Sequence, residues 1–194
     1  MNMPELNAAL IENLPDIELT LRHVEALDAA VDTTLDAMTA DWIKEHDWRG
    51  DTRGDEFWLA VPEWNDPSCA DEDVVFYLQW TDFDSVDDSE ITVISRLCQN
   101  GYGRAGLELC HNFKANKWNR ILPELVELLQ DTGFVLHEKQ LILPFHVDRD
   151  VLVRGVADND LVDGLRQFHE TLDRLVASQP ALAKVVARLR QELD

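Results

Sequence analysis

The sequence predicts an α+β fold: a mainly antiparallel sheet of four to six strands with a long amino-terminal helix, a middle helix and carboxy-terminal helices. Three observations carry that expectation. Apolar residues recur at steps of three and four over residues 21–46, which is the period of a helix. Strand-like runs bounded by turn-forming clusters follow, and the hairpin-sized connections between them favour antiparallel pairing. A chain of 194 residues can bury one good core, so a single domain over 1–194 is expected, with room for an appendage at 1–20 and a helical segment at 158–194 packed on the rest.

Leu21, Val24, Leu27, Val31, Leu35, Met38 and Trp42 form the apolar stripe of the first helix. Glu25, Asp28, Asp32 and Asp36 recur beside it as a row of like charges, each neighbouring pair costing a few tenths of a kcal/mol. That row reads either as a docking face for a basic partner or as a solvated face whose cost the packed stripe absorbs. After a break at 50–55, strand-like runs occupy 56–61, 73–80, 90–98 and 105–113. The second, containing Val74, Val75, Phe76, Tyr77 and Leu78, is continuously apolar and suits a central strand. In the third, Ile91, Val93 and Leu97 alternate with Thr92 and Arg96. Trp118, Ile121, Leu122, Leu125, Val126 and Leu129 define a middle helix, with Asn116 as its cap, Pro123 in its early turns and Gly133 as its stop. Residues 134–143 read as a strand or a broken pair. Helices at 148–157, 160–177 and 180–193 close the chain, Pro180 suiting a first helical position.

A hydrophobic content of 45% with six Trp excludes a disordered acidic tail. The net charge of −21 is lopsided: residues 1–90 hold 24 acids and 4 bases, whereas 91–194 hold 14 acids and 13 bases. Such a field repels phosphate backbones and anionic lipid and attracts basic partners, although it also serves solubility. Direct nucleic-acid binding and membrane association are not expected. No apolar run is long enough to span a membrane, and residues 1–11 lack the basic and apolar regions of a secretory signal, so a cytoplasmic protein is expected. Cys69, Cys98 and Cys110 form no C-x-x-C pair. If 90–98 and 105–113 were a hairpin, Cys98 and Cys110 would lie roughly 17 Å apart, and they read as buried free thiols.

Catalytic patterns are incomplete. Gly101-Tyr102-Gly103-Arg104-Ala105-Gly106 matches G-x-G-x-x-G, but Leu107, Leu109 and Phe113 alternate as a strand where the dinucleotide motif needs a helix. Asp82, Asp84, Asp87, Asp88 and Glu90 cluster in one loop, yet an EF-hand register places Val86 and Val93 where oxygen ligands belong. The order of helix, strands, helix and strand is similar to the core of PD-(D/E)XK nucleases. Their Glu-x-Lys or Asp-x-Lys is absent; the nearest substitute is Asp73 or Asp82 with Glu108 and a displaced Lys114, and a metal site would draw its ligands from Asp73, Asp82, Asp84 and Glu108. The histidines are scattered without ligand spacing, His111 and His169 reading as structural. The Trp residues read as core or interface anchors, because no bases interleave with them. No cofactor is written in the sequence.

Asn116-Lys117-Trp118-Asn119, Gly133-Phe134-Val135-Leu136, Leu141-Ile142-Leu143-Pro144-Phe145 and the Leu165-x-x-Phe168 helix resemble the type III secretion chaperone and YbjN-like bacterial proteins over about residues 90–176. The longer first helix and the two additional terminal helices depart from that pattern. The resemblance implies a noncatalytic, often dimeric, acidic protein that holds another polypeptide. The expected function is therefore an interaction module, of chaperone, adaptor or immunity type, binding a basic polypeptide through Glu25, Asp28, Asp32 and Asp36. The alternative is a metal-binding or degenerate nuclease-like protein.

Overall fold

The structure, a computed structural model, describes residues 3–52, 57–64, 76–83, 92–98 and 104–192. Two helices open the chain, α1 (Met3–Glu12) and α2 (Leu14–His46), parted at Asn13. Pro15 sits in the first turn of α2, where its missing N–H costs nothing, and Asp47 closes the helix in the left-handed conformation. Three strands follow, β1 (Arg49–Asp51), β2 (Trp58–Ala60) and β3 (Phe76–Phe83), then a short helix α3 (Val93–Leu97) and β4 (Arg104–His111). The middle helix α4 (Ala115–Leu129) leads into the hairpin β5 (Val135–His137) and β6 (Gln140–Pro144). Helices α5 (Arg149–Ala157), α6 (Leu161–Gly164) and α7 (Arg166–Gln191) complete the chain. The sheet runs β1-β2-β3-β4-β6-β5 with every neighbouring pair antiparallel. This is the α+β fold the sequence predicts.

Three local expectations are corrected. Residues 93–97 are helix, not strand: Thr92 caps them by accepting the Ser95 N–H, and Leu97 is buried at a helical step from Val93. The alternation read there was too short to separate the two periods. The expected hairpin between 90–98 and 105–113 therefore does not form, and β4 pairs with β3 and β6 instead. Pro180 lies inside α7 rather than opening a new helix. It is exposed, and the buried row Leu172, Leu175, Leu182, Val185 and Leu189 keeps one helical phase across it, so packing overrides the local break. Asn116 is not the cap of α4; Lys114 holds that position, and the Asn116 side chain accepts the Lys117 N–H.

Alternation along the strands separates two faces. Leu78, Trp80, Leu107, Leu109 and Leu143 point to the face covered by helices. There Phe168 of α7 packs against Phe145 and Trp80, and Trp118 of α4 lies with its ring centroid 3.9 Å from that of His111. Trp42 of α2 joins the same core and donates its Nε1–H to Asp173 of α7. Trp42, Trp48, Trp64 and Trp118 are buried, and Trp58 and Trp80 are half-buried against the same core. The core stops short along α2, however. Its first buried residue is Val31, and α1 buries none.

Candidate functional site

The acidic row of α2 divides according to what each turn meets. The two Asp28 carboxylate oxygens accept the N–H groups of Val93 at 3.2 Å and Ile94 at 3.1 Å, so this side chain satisfies orphan donors at the start of α3. Glu25, one turn earlier, is exposed. Asp32 and Asp36, on the next turns, line a cavity of about 380 Å³ together with Leu35, Phe57, Trp80, Asp82, Val93 and Arg96.

That cavity holds three carboxylates against one guanidinium among its lining residues. Arg96 Nη1 lies 2.6 Å from Asp82 Oδ2, which commits the base to Asp82. Partial burial, reinforced by the charge on Asp28, raises the Asp32 carboxyl above its usual range. Burial, then Asp32 and Asp51, does the same to Asp36. Asp82 is also raised by burial, against the opposing pull of Arg96 and a hydrogen bond from Trp80. The walls are Phe57 and Trp80, whose rings meet edge to face with centroids 5.8 Å apart. Among the described lining residues Arg96 is the one base, and carboxylates that outnumber it beside aromatic surface suit an organic cation.

Of the alternative set of metal ligands, the two described members, Asp82 and Glu108, do not come together. Asp82 pairs with Ala105 and points with Trp80 to the helix-covered face, whereas Glu108 pairs with Gln79 and points to the opposite face. One ion cannot bridge them. Burial raises the Glu108 carboxyl, moderated by hydrogen bonds with Gln140 and Thr81. Asp73 and Asp84 lie outside the described residues, and so do Asp87, Asp88 and Glu90. Among the described residues no group of three or more His, Cys, Asp or Glu could hold a metal. Of the glycine-rich motif, residues 101–103 lie outside the described residues, and Arg104 onward is strand.

Nucleophilic chemistry is disfavoured at the described thiols. Cys98 is buried and Cys110 half-buried, and both are free; Cys69 lies outside the described residues. Burial, with the Glu108 charge beside it, pushes the Cys110 thiol up to about 12, far from the thiolate a nucleophile needs. His111 is held below its usual value by burial, and its Nδ1 accepts the Phe113 N–H. His169 faces Asp173 at 3.4 Å.

The sequence reading missed one surface. Leu14, Leu21 and Val24 of α2 are exposed, as are Leu6, Leu10 and Ile11 of α1. The stripe starting at Leu21 reads as core from its spacing, yet Leu21 and Val24 in its first turns are exposed. Its extension upstream through Ile17 and Leu14 was the available signal. No helix among the described residues is long and apolar enough to cross a membrane. No protein-family description matches the chain, and no solved structure matches it.

Proposed function

We propose that this protein is a noncatalytic interaction module whose acidic amino-terminal half docks a basic polypeptide. The observation that carries the reading is the cavity shared by Asp32, Asp36 and Asp82, where among the described residues one Arg faces three carboxylates beside Phe57 and Trp80. A Lys or Arg side chain from a partner supplies the missing charge and an apolar stem for the aromatic walls. The remaining acids of residues 1–90 extend the attraction outward and speed encounter. Of the row expected to dock the partner, Asp32 and Asp36 face the cavity and Glu25 remains exposed. Asp28 contributes charge while its carboxylate is engaged in the fold.

An oligoarginine peptide titrated by calorimetry tests this. Asp32→Asn/Asp36→Asn should weaken binding about three- to tenfold at physiological salt, as expected when close charge pairs are lost. Glu5→Gln/Glu12→Gln removes the same charge from α1 and should change binding less than about twofold. Equal losses from both pairs, or no binding by the unaltered protein, would overturn the reading.

A further inference from the structure

Leu14, Ile17, Leu21, Val24, Asp28, Val31, Leu35, Met38 and Trp42 follow one another along α2 at steps of three and four. This is the seam spacing of a coiled coil. From Val31 to Trp42 the seam is filled by the chain's own core. At Asp28 the seam meets α3, whose first N–H groups it caps. Before that point the seam is largely bare: Leu14 is 48% exposed, Leu21 54% and Val24 42%, with Ile17 between them half-buried. From Leu14 to Val24 the bare seam is about 15 Å long at ~1.5 Å per residue.

The two flanks differ. On one side Glu18, Glu25 and Asp32 recur every seventh residue and lead to the acidic cavity. On the other, Asn13, Thr20 and Leu27 carry no charge. Leu27 opens into an apolar groove of about 220 Å³ formed with Ile94, Cys98, Leu152, Val153 and Val156, with Arg149 at its edge. We infer that the bare seam of α2 is the docking surface for an amphipathic helix of a partner protein, apolar along its contact stripe and basic on the flank that meets Glu18, Glu25 and Asp32. A second copy of this chain is the poorer occupant on charge. An antiparallel pair sets the two Glu18–Glu25 rows against each other, and a parallel pair offers them only Asn13, Thr20 and Leu27.

The inference rests on the basic-partner reading and names its surface, so the test separates the two. The probe is a synthetic helical peptide with Leu at the seam positions and Lys on the flanks, compared with the same peptide carrying Glu for Lys. Binding is followed by fluorescence anisotropy at physiological salt, and association of the protein alone by sedimentation equilibrium. The Lys peptide should bind and the Glu peptide should not. Leu21→Asn/Val24→Asn should lose tenfold or more with an unchanged melting temperature, since both residues are exposed, and Glu18→Gln/Glu25→Gln should lose severalfold. If the seam variant binds like the unaltered protein while Asp32→Asn/Asp36→Asn loses affinity, the seam is wrong and the basic-partner reading stands. A dimer that Leu21→Asn dissolves gives the seam to a second copy and overturns the inference. Failure of the Lys peptide to bind at all removes both.

Discussion

The Asp28 carboxylate accepts two backbone N–H groups from a helix that lies 65 residues further along the chain. By spacing alone it is one of four equivalent acids on a helix face, and relief of like-charge repulsion predicts that removing all four leaves the fold unharmed or better. The structure separates it from its neighbours. Losing an N-terminal cap costs about 1–2 kcal/mol, because the part-buried N–H groups of Val93 and Ile94 lose their acceptor. Asp28→Ala should therefore lower unfolding stability by roughly that amount in denaturant titration, whereas Glu25→Ala, exposed one turn away, should stay within about 0.5 kcal/mol. Equal effects at both positions would mean that the Asp28 contact adds nothing.

Helices α5 and α6 approach so closely that a Cβ on Gly155 would lie 2.5 Å from Gly164 Cα and 2.7 Å from Asp160 O. Both obstacles are backbone, so no side-chain rotation relieves them. Gly155→Ala should cost about 1–3 kcal/mol, the usual penalty of forcing atoms into a filled space. Val153→Ala, on an exposed position of the same helix, should be nearly neutral by the same denaturant titration. A neutral Gly155→Ala would show that the two helices part freely. Elements of this kind were unevenly legible. The long helix, β4, the middle helix and the terminal helical segments follow from periodicity and turn residues. The nature of α3 does not, because five residues with Val93 and Leu97 apolar satisfy both periods, and Thr92 capping through Ser95 decides between them. Pro180 misled because a local break is weaker than the continuous buried face of α7. The acidic row was visible, but its meeting with Asp82 was not, since no periodicity on α2 reports a strand far along the chain.

Across the molecule the charge is concentrated on residues 1–90, while the other half balances its acids with bases, in ion pairs that include Arg188 with Glu124 and Glu192, Arg120 with Glu192 and Arg166 with Asp163. The acidic half is therefore the part whose stability should respond to charge removal. Asp32 and Asp36 have carboxyl groups raised above their unfolded values, first by burial and then by neighbouring acids. Between the unfolded and folded values the native state binds more protons than the unfolded chain, so stability falls as pH rises through that window. Above the folded values the cost is fully present; below the ordinary carboxylate range both states are protonated and it is gone. Asp32→Asn/Asp36→Asn should consequently melt at a higher temperature than the unaltered protein at pH 7, with the gap closing on acidification toward pH 4. Salt should narrow the gap as well, because screening weakens repulsion between these partly exposed groups. His111 has the opposite sign, its lowered value removing stability as pH falls, and it acts equally in both proteins, so it cancels from the difference. Thermal melts of the pair across pH at low and physiological salt make the measurement. A variant that melts lower at pH 7, or a gap that widens on acidification, would show that these carboxylates hold the fold together instead of straining it for a partner's cation.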